Sequence, residues 1–251
     1  MLQFRDTQPV GEIVAQFPGA SRLFERYAID YCCGGRLALA DACAERGLDT
    51  RTLIEELYHA AAGADRDGLR DWTAAPLTDL IEHLLVAYHA PLRADLPRLA
   101  RLVGRALEHH ADGGMLPFDS IAAQVADLQA ELESHMLKEE RVLFPAIRRI
   151  EQAGSPGARA EAAEPCGSIA FPIEAMEHEH AEVGALLASL RRLTGGYEVP
   201  AGACGTVTAL VEGLADLETE LHRHIHLENE ILFPRALSLA ADRRSTQEVA
   251  S

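Results

Sequence analysis

The sequence predicts an all-α protein, in which a small N-terminal helical domain precedes an up-and-down four-helix bundle. Aromatic residues make up 5% of the 251-residue chain, Ala and Leu are plentiful, and β-branched runs are scarce, which favours helix over sheet. Four long amphipathic stretches, separated by loops that contain Gly and Pro, fill the C-terminal two-thirds. With 48% apolar residues the chain can bury a substantial core.

The predicted N-terminal domain covers residues 1–62 and consists of short helices broken by turn signals. We expect helices at residues 10–17, 20–29, 37–47 and 50–62. Asp49 or Thr50 is expected to cap the last of them. Residues 63–76 are expected to form a linker.

The predicted bundle domain covers residues 77–242 and is followed by a tail, 243–251. Its four helices are expected at residues 77–109, 119–151, 171–193 and 203–240. Pro91 and Pro97 lie inside the first helix and predict a kink or a break there. The Gly-, Ala- and Pro-rich residues 153–168 are expected to form a flexible crossover between the second and third helices.

Net charge and composition reduce the number of possible binding partners and cellular locations. The formal net charge of -16 disfavours binding to nucleic acid or to anionic membrane surfaces. No signal peptide or membrane span is predicted, so we expect a cytoplasmic protein. The five cysteines have no disulfide-scaffold spacing and are expected to be reduced, with Cys43, Cys166 and Cys204 incidental to function.

The second and fourth long helices carry a repeated motif. SHMLKEERVLFP begins at Ser134 and RHIHLENEILFP begins at Arg223, and each has a His, a Glu four residues later and then Leu-Phe-Pro. A four-residue step on an α-helix returns to within about 40° of the same face. The pairs His135/Glu139 and His224/Glu228 therefore each project from one face. Apolar residues share these two faces, namely Leu128, Leu132 and Val142 on one helix and Leu217, Leu221 and Ile231 on the other.

An inward-facing His and Glu predict a metal site. Burying a carboxylate in an apolar core costs several kcal/mol unless a partner compensates it, and a cation with nitrogen and oxygen ligands is such a partner. The alternative is that each His is a buried core residue or a solvated one. Two matched motifs with matching apolar faces favour the metal.

The first and third helices are expected to supply one His each. His89 lies among apolar residues that include Val86, and His180 also lies among apolar residues. The faces of His83 and His178 carry acidic and small residues instead. The nearly equal spacings from His89 to His135 and from His180 to His224 indicate two similar helical hairpins. The remaining histidines are expected to lie in solvent or outside the ligand set, namely His222, His226, His109 and His110.

Four imidazoles and two carboxylates exceed what one tetrahedral zinc needs, but they suit two metals with two His each and two bridging carboxylates. If an oxo or hydroxo group also bridges the metals, one open position per metal remains for a small ligand. Iron, manganese and zinc all remain open as the metal.

The bundle, with its repeated His-x3-Glu and Leu-Phe-Pro ends, resembles a hemerythrin-like domain. The DYCCGG motif followed by a Leu/Ala-rich helix resembles the short domain that precedes it in the iron-sulfur cluster repair di-iron proteins, the family that includes ScdA and YtfE. The resemblance implies two non-haem iron ions, oxo- or hydroxo-bridged. The implied ligands are His89, His135, Glu139, His180, His224 and Glu228, with both Glu bridging.

The resemblance also implies a function. Members restore iron-sulfur clusters damaged by nitric oxide or peroxide, with donation of iron as the usual proposal. The implied partners are damaged iron-sulfur proteins and small diatomic ligands such as NO and O2.

Cys32 and Cys33, at the Gly-Gly turn, are the other candidate reactive residues. A thiolate at an exposed turn could bind iron, accept a nitrosyl group or be oxidised. Alternatively, the motif only shapes a tight turn and adds a small apolar pair to the core. The short N-terminal domain could also mediate a homodimer.

Two other functions compete with repair. The first is an oxidoreductase that reduces nitric oxide or peroxide at the open positions. The second is a binding protein, either an oxygen carrier, which the nearly symmetric ligand set disfavours, or an oxygen or NO sensor. A ferritin-like oxidase is a weaker alternative, because its helices use Glu-x-x-His rather than His-x3-Glu.

Overall fold

The computed structural model describes residues 3–63, 71–110, 115–153 and 169–250. Within these ranges the secondary structure is helical, with one isolated bridge between Pro9 and Ala38 and no strand, so the all-α class is confirmed. Three expectations fall at least partly outside the described residues: the linker at 64–70, the crossover at 154–168 with Cys166, and Ser251 of the tail. No helix in the described ranges is both long and apolar enough to span a membrane.

The helices begin and end close to where the sequence predicts them, except that the fourth long helix continues to Ala250 rather than ending at residue 240. The four short N-terminal helices are α1 (Val10–Gln16), α2 (Ala20–Arg26), α3 (Leu39–Arg46) and α4 (Thr50–Gly63). The first long helix consists of α5 (Leu77–Leu84), π1 (Leu85–His89) and α6 (Ala90–His109). The second consists of α7 (Phe118–Lys138), π2 (Glu139–Leu143) and α8 (Phe144–Ala153). The third long helix is α9 (Ala170–Leu193). The fourth consists of α10 (Gly205–His226), π3 (Leu227–Leu232) and α11 (Phe233–Ala250).

Local sequence explains several helix ends. Asp49, one of the two predicted caps, accepts the backbone N–H of Thr52 at 2.8 Å and so satisfies a free donor at the start of α4. α3 ends at Gly47, whose φ of 66° lies in the left-handed region that glycine adopts at low cost. The first long helix does not break at Pro91 or Pro97, because π1 precedes Pro91 and α6 continues through Pro97.

One compact unit comprises residues 81–110, 115–146 and 169–221 and contains segments of all four long helices. α7 packs against both α6 and α9. An ion pair between Arg191 and Glu218 joins α9 to α10, and Gly213 of α10 packs against Leu99 of α6. The four segments therefore form a closed bundle. Its core is built largely from buried aliphatic residues, including Leu96, Leu128, Leu132, Val183, Leu187, Leu210 and Leu214.

The second compact unit comprises residues 3–63, 71–80, 147–153 and 222–250. α1 to α4 pack together here, and α1 contacts π3. Glu151 of α8 caps the start of α5, because its carboxylate accepts the N–H of Leu77 at 2.6 Å and of Thr78 at 2.8 Å. The N-terminal helices are thus anchored on a helix segment that carries part of the candidate site.

Candidate metal centre

His89 lies at the end of π1 and is completely buried. Its Nδ1–H donates to Glu140 Oε1 at 2.8 Å, and Arg93 donates to the same oxygen at 2.7 Å. A carboxylate can only accept, so this bond fixes the proton on Nδ1 and leaves the lone pair, which could bind a metal, on Nε2. Nε2 lies 3.4 Å from Glu139 Oε2.

His135 of α7 is held in the same way. Its Nδ1–H donates to Glu179 Oε2 at 3.0 Å, and Lys138 binds the other oxygen of Glu179. Its Nε2 lies 3.4 Å from Glu139 Oε2 and 3.1 Å from Nε2 of His180. His89 and His135 therefore share one arrangement. In each, Nδ1 donates to a carboxylate, and Nε2 faces Glu139.

The outer carboxylates are electrostatically stabilised in their charged form. Burial alone would raise the pKa of Glu140, but hydrogen bonds from His89 and Arg93 outweigh it and hold that pKa below its usual value. Burial likewise opposes ionisation of Glu179, and hydrogen bonds from Lys138 and His135 lower its pKa. Both groups therefore remain carboxylates that can orient an imidazole.

The donor set of this unit suits a metal ion. Potential ligand atoms of His135, Glu139 and His180 lie within 4.8 Å of one another, and all three residues are buried, as is His89. Two imidazole lone pairs facing a carboxylate oxygen at 3.4 Å repel one another unless a proton or a cation lies between them. Imidazole nitrogen and carboxylate oxygen are ligands that iron, zinc and manganese accept.

His224 and Glu228 form a matching pair in the other unit. Nε2 of His224 lies 3.1 Å from Glu228 Oε1, and both side chains are buried. Glu228 belongs to π3, as Glu139 belongs to π2. The structure thus places all six predicted residues in the interior and brings the first four together around Glu139. Their role as metal ligands remains a prediction.

The dicysteine turn lies beside the segment that carries Glu228. Asn229 donates to the carbonyl of Cys32 at 3.2 Å, and Arg223 forms an ion pair with Glu25 at 3.2 Å. A Cβ on Gly35 would overlap the carboxylate of Glu230, so the second glycine of the motif permits this close approach. The Gly-Gly turn therefore has a packing role that the sequence predicted only in general terms.

The two cysteines differ in exposure. Cys33 is exposed, whereas Cys32 is buried, so the two cysteines divide between the two alternatives, an exposed thiol and a small apolar residue in the core. Asp30 Oδ1 accepts the backbone N–H of both residues, and the two sulfurs are 3.7 Å apart. The hydrogen bond with Cys33 and then burial raise the pKa of the Cys32 thiol, which favours its protonated form.

The histidines that we did not choose lie elsewhere. His178 is 76% exposed and His83 is half-buried, so neither is enclosed as His89 and His180 are. His226 is buried, so it lies outside the proposed ligand set rather than in solvent, which is one of the two positions expected for it. Its Nδ1 donates to the Tyr31 carbonyl at 3.4 Å, and burial lowers its pKa to about 4.

One polar pair was missed altogether. His110 Nε2 lies 3.4 Å from the sulfur of Cys204, two residues that are far apart in the sequence. The hydrogen bond with His110, followed by the backbone N–H of Val207, lowers the pKa of Cys204 to about 7. No spacing rule connects these residues, so only the fold could reveal them.

The π turns explain two wrong assignments of inward-facing residues. Val142 was expected to share the face of Glu139, and Val86 that of His89, but they are 57% and 71% exposed. Each lies inside a π turn, whose extra residue breaks the 3.6-residue periodicity on which the expectation rested. The buried positions shift instead to Leu84 and Leu143.

Comparison with known proteins identifies both regions of the chain. The family model described as "Hemerythrin HHE cation binding domain" matches residues 80–236, and one described as "Domain of Unknown function (DUF542)" matches residues 6–61. Proteins named "Iron-sulfur cluster repair protein YtfE" are among the similar relatives. Those of Edwardsiella ictaluri, Cronobacter sakazakii and Escherichia coli O157:H7 are 40%, 41% and 39% identical, and each alignment covers 94% of this chain and 99% of the relative.

These matches extend over nearly the whole chain and include both the bundle and the dicysteine domain. The predicted resemblance is therefore confirmed. The chain belongs to the family of iron-sulfur cluster repair proteins that carry a hemerythrin HHE cation-binding domain.

Proposed function

We propose that His89, His135, Glu139, His180, His224 and Glu228 bind two iron ions, with Glu139 and Glu228 as bridging ligands. The observation that carries this proposal is the arrangement around Glu139, where imidazole nitrogens approach a fully buried carboxylate. The His224/Glu228 pair repeats the same spacing and the same π-turn position. The family match to a cation-binding domain supports it further.

We further propose that the protein repairs iron-sulfur clusters damaged by nitrosative or oxidative stress by supplying iron. In this function iron is cargo, so the ligands must both hold it and release it. Carboxylates are suited to release, because protonation removes their affinity for a cation. The outer carboxylates Glu140 and Glu179 keep the histidines oriented so that the site can be reloaded.

We propose that Cys33 takes part in the transfer of iron to a partner protein. Its sulfur is exposed, and the ligand atoms of Asp30, Cys32 and Cys33 lie within 4.8 Å of one another. Asn229, the neighbour of Glu228, is bonded to the same turn. A Cys33→Ser variant should retain its iron content but lose repair activity if the thiolate binds iron during its release.

The repair function can be tested with purified components. Protein loaded anaerobically with Fe(II) is mixed with a [4Fe–4S] hydratase that nitric oxide has inactivated, and recovery of hydratase activity is followed. We expect recovery with the wild type and with Glu182→Gln, whose carboxylate faces the exposed His178. The double variant Glu139→Gln/Glu228→Gln should not restore activity.

Two outcomes would contradict iron supply. Failure of a wild-type sample with two irons per chain would exclude it under these conditions. Catalytic conversion of nitric oxide to nitrous oxide by the reduced protein would instead support the oxidoreductase alternative. The proposed partners are damaged iron-sulfur proteins together with NO or O2, and the proposed location is the cytoplasm.

A further inference from the structure

Each π turn is followed at the same distance by a proline. Across the turns, the N–H of Ala90 donates to Leu85 O, that of Phe144 to Glu139 O and that of Phe233 to Glu228 O. Each donor reaches five residues back rather than four. The next residue is a proline in all three cases, namely Pro91, Pro145 and Pro234. The last two are the prolines of the repeated Leu-Phe-Pro motif.

Proline chemistry accounts for this coincidence. Inside an α-helix a proline has no N–H to donate, and its ring collides with the carbonyl four residues back. A π turn immediately before the proline widens the helix at that carbonyl, so the chain continues without ending. The helices do continue, since α6, α8 and α11 run on through Pro91, Pro145 and Pro234.

The π turns decide which side chains face inward. An inserted residue rotates the following part of a helix by about 100° relative to the preceding part. Buried side chains accordingly lie five residues apart across each turn, as Leu84 and His89, Glu139 and Phe144, and Glu228 and Phe233. In a regular α-helix a five-residue step places the two side chains about 140° apart, so the two members of a pair would not share one face of the helix.

We propose that Pro145 and Pro234 are positioning residues that maintain the π turns and thereby keep Glu139 and Glu228 turned inward for metal binding, with Pro91 doing the same for His89. The inference rests on the proposed di-iron site. An N–H at position 145 could donate to the carbonyl of Arg141, four residues back, and so favour a regular α-helix. Either Glu139 or Phe144 would then have to leave the interior.

The chain offers a matched control. Pro97 also lies inside a helix, α6, but the residues immediately before it are regular α-helix and not a π turn. Replacing it with Ala should only remove the helix-destabilising effect of proline. α9, which carries His180, has no π turn, and its Pro172 lies in the first turn, where proline is tolerated.

The test compares Pro145→Ala, Pro234→Ala and their double variant with Pro97→Ala. Metal-free samples are melted by circular dichroism, and Fe(II) and Zn(II) affinities are measured anaerobically against a chelator. We expect all variants to melt at or above the wild-type temperature. Pro145→Ala and Pro234→Ala should each lose about tenfold or more in metal affinity, the range typical for loss of ligand orientation. Pro97→Ala should keep wild-type affinity.

Opposite changes in apo stability and metal affinity separate positioning from a structural role, which would move both in the same direction. Unchanged affinity in the double variant, or an equal loss in Pro97→Ala, would overturn the inference. If a single variant does not fold, the other single variant provides the same comparison at the repeated site. Absence of metal binding by the wild type would refute the proposed di-iron site itself, which is a distinguishable result.

Discussion

Replacement of Glu140 with Ala should weaken metal binding without unfolding the protein. Glu140 is 26% exposed, and its carboxylate accepts hydrogen bonds from His89 and Arg93 at 2.8 and 2.7 Å. In the variant, the buried Nδ1–H of His89 loses its acceptor. The imidazole can then adopt the other tautomer, in which Nε2 carries the proton and cannot bind a metal.

The size of the effect follows from these contacts. Leaving a buried donor without a partner costs about 1–3 kcal/mol, which corresponds to roughly 5- to 150-fold in an equilibrium constant. In known metal sites, loss of a carboxylate behind a ligating His lowers affinity about 10- to 100-fold. We therefore expect a loss of about 10- to 100-fold for Glu140→Ala. Glu140→Gln should lose less, because its amide oxygen can still accept from Nδ1–H.

The assay is competition of the metal-free protein with a chelator for Fe(II) or Co(II) under anaerobic conditions. Glu182→Ala is the matched control, because it removes a carboxylate 3.5 Å from the exposed His178. The melting temperature of each apo protein reports folding separately. Wild-type affinity in Glu140→Ala, or the same loss in Glu182→Ala, would refute the idea that this carboxylate orients His89.

Three further predictions concern other parts of the chain. Cys204 should react with iodoacetamide with a midpoint near its pKa of about 7, and His110→Ala should move that midpoint upward, as mass spectrometry of the labelled peptide can show. Glu151→Gln should lower the stability of the folded chain by about 1–2 kcal/mol at pH 7. Although burial opposes it, hydrogen bonding to Thr78 lowers the pKa of Glu151, so its contribution is present above the unfolded pKa and lost as pH falls through the folded pKa. Metal addition should raise the melting temperature of the wild type by mass action, and much less that of Glu139→Gln; an equal rise in both would place the metal elsewhere.

Helix periodicity carried most of the sequence-based prediction. Amphipathic patterns located the helices to within a few residues, because each buries one apolar face, but they placed the end of the last helix ten residues before Ala250. They also separated His89 from His83 and His180 from His178, since an enclosed His lies among apolar neighbours. The division of the chain into domains at residues 62 and 77 remains a prediction.

The sequence could not reveal features that break periodicity or join distant residues. A π turn leaves no apolar pattern of its own, so Val86 and Val142 were assigned to the wrong face. The sequence shows the proline after each turn, but a proline inside a helix also predicts a kink, so it does not by itself indicate a π turn. Glu140 and Glu179 adjoin candidate ligands in sequence, yet their partners lie on other helices and depend on bundle packing.

The ion pair of Lys138 with Glu179 has a practical consequence, because Lys138 is the chain's single lysine. An acylating reagent has one side-chain amine to modify, and the side chain that carries it is 47% exposed. A fluorescent ester attached there would report from a point two hydrogen bonds away from His135. Enzymatic acetylation at the same nitrogen would remove the positive charge that holds Glu179 in place. A modification at the protein surface would then change how firmly Glu179 orients the imidazole of His135.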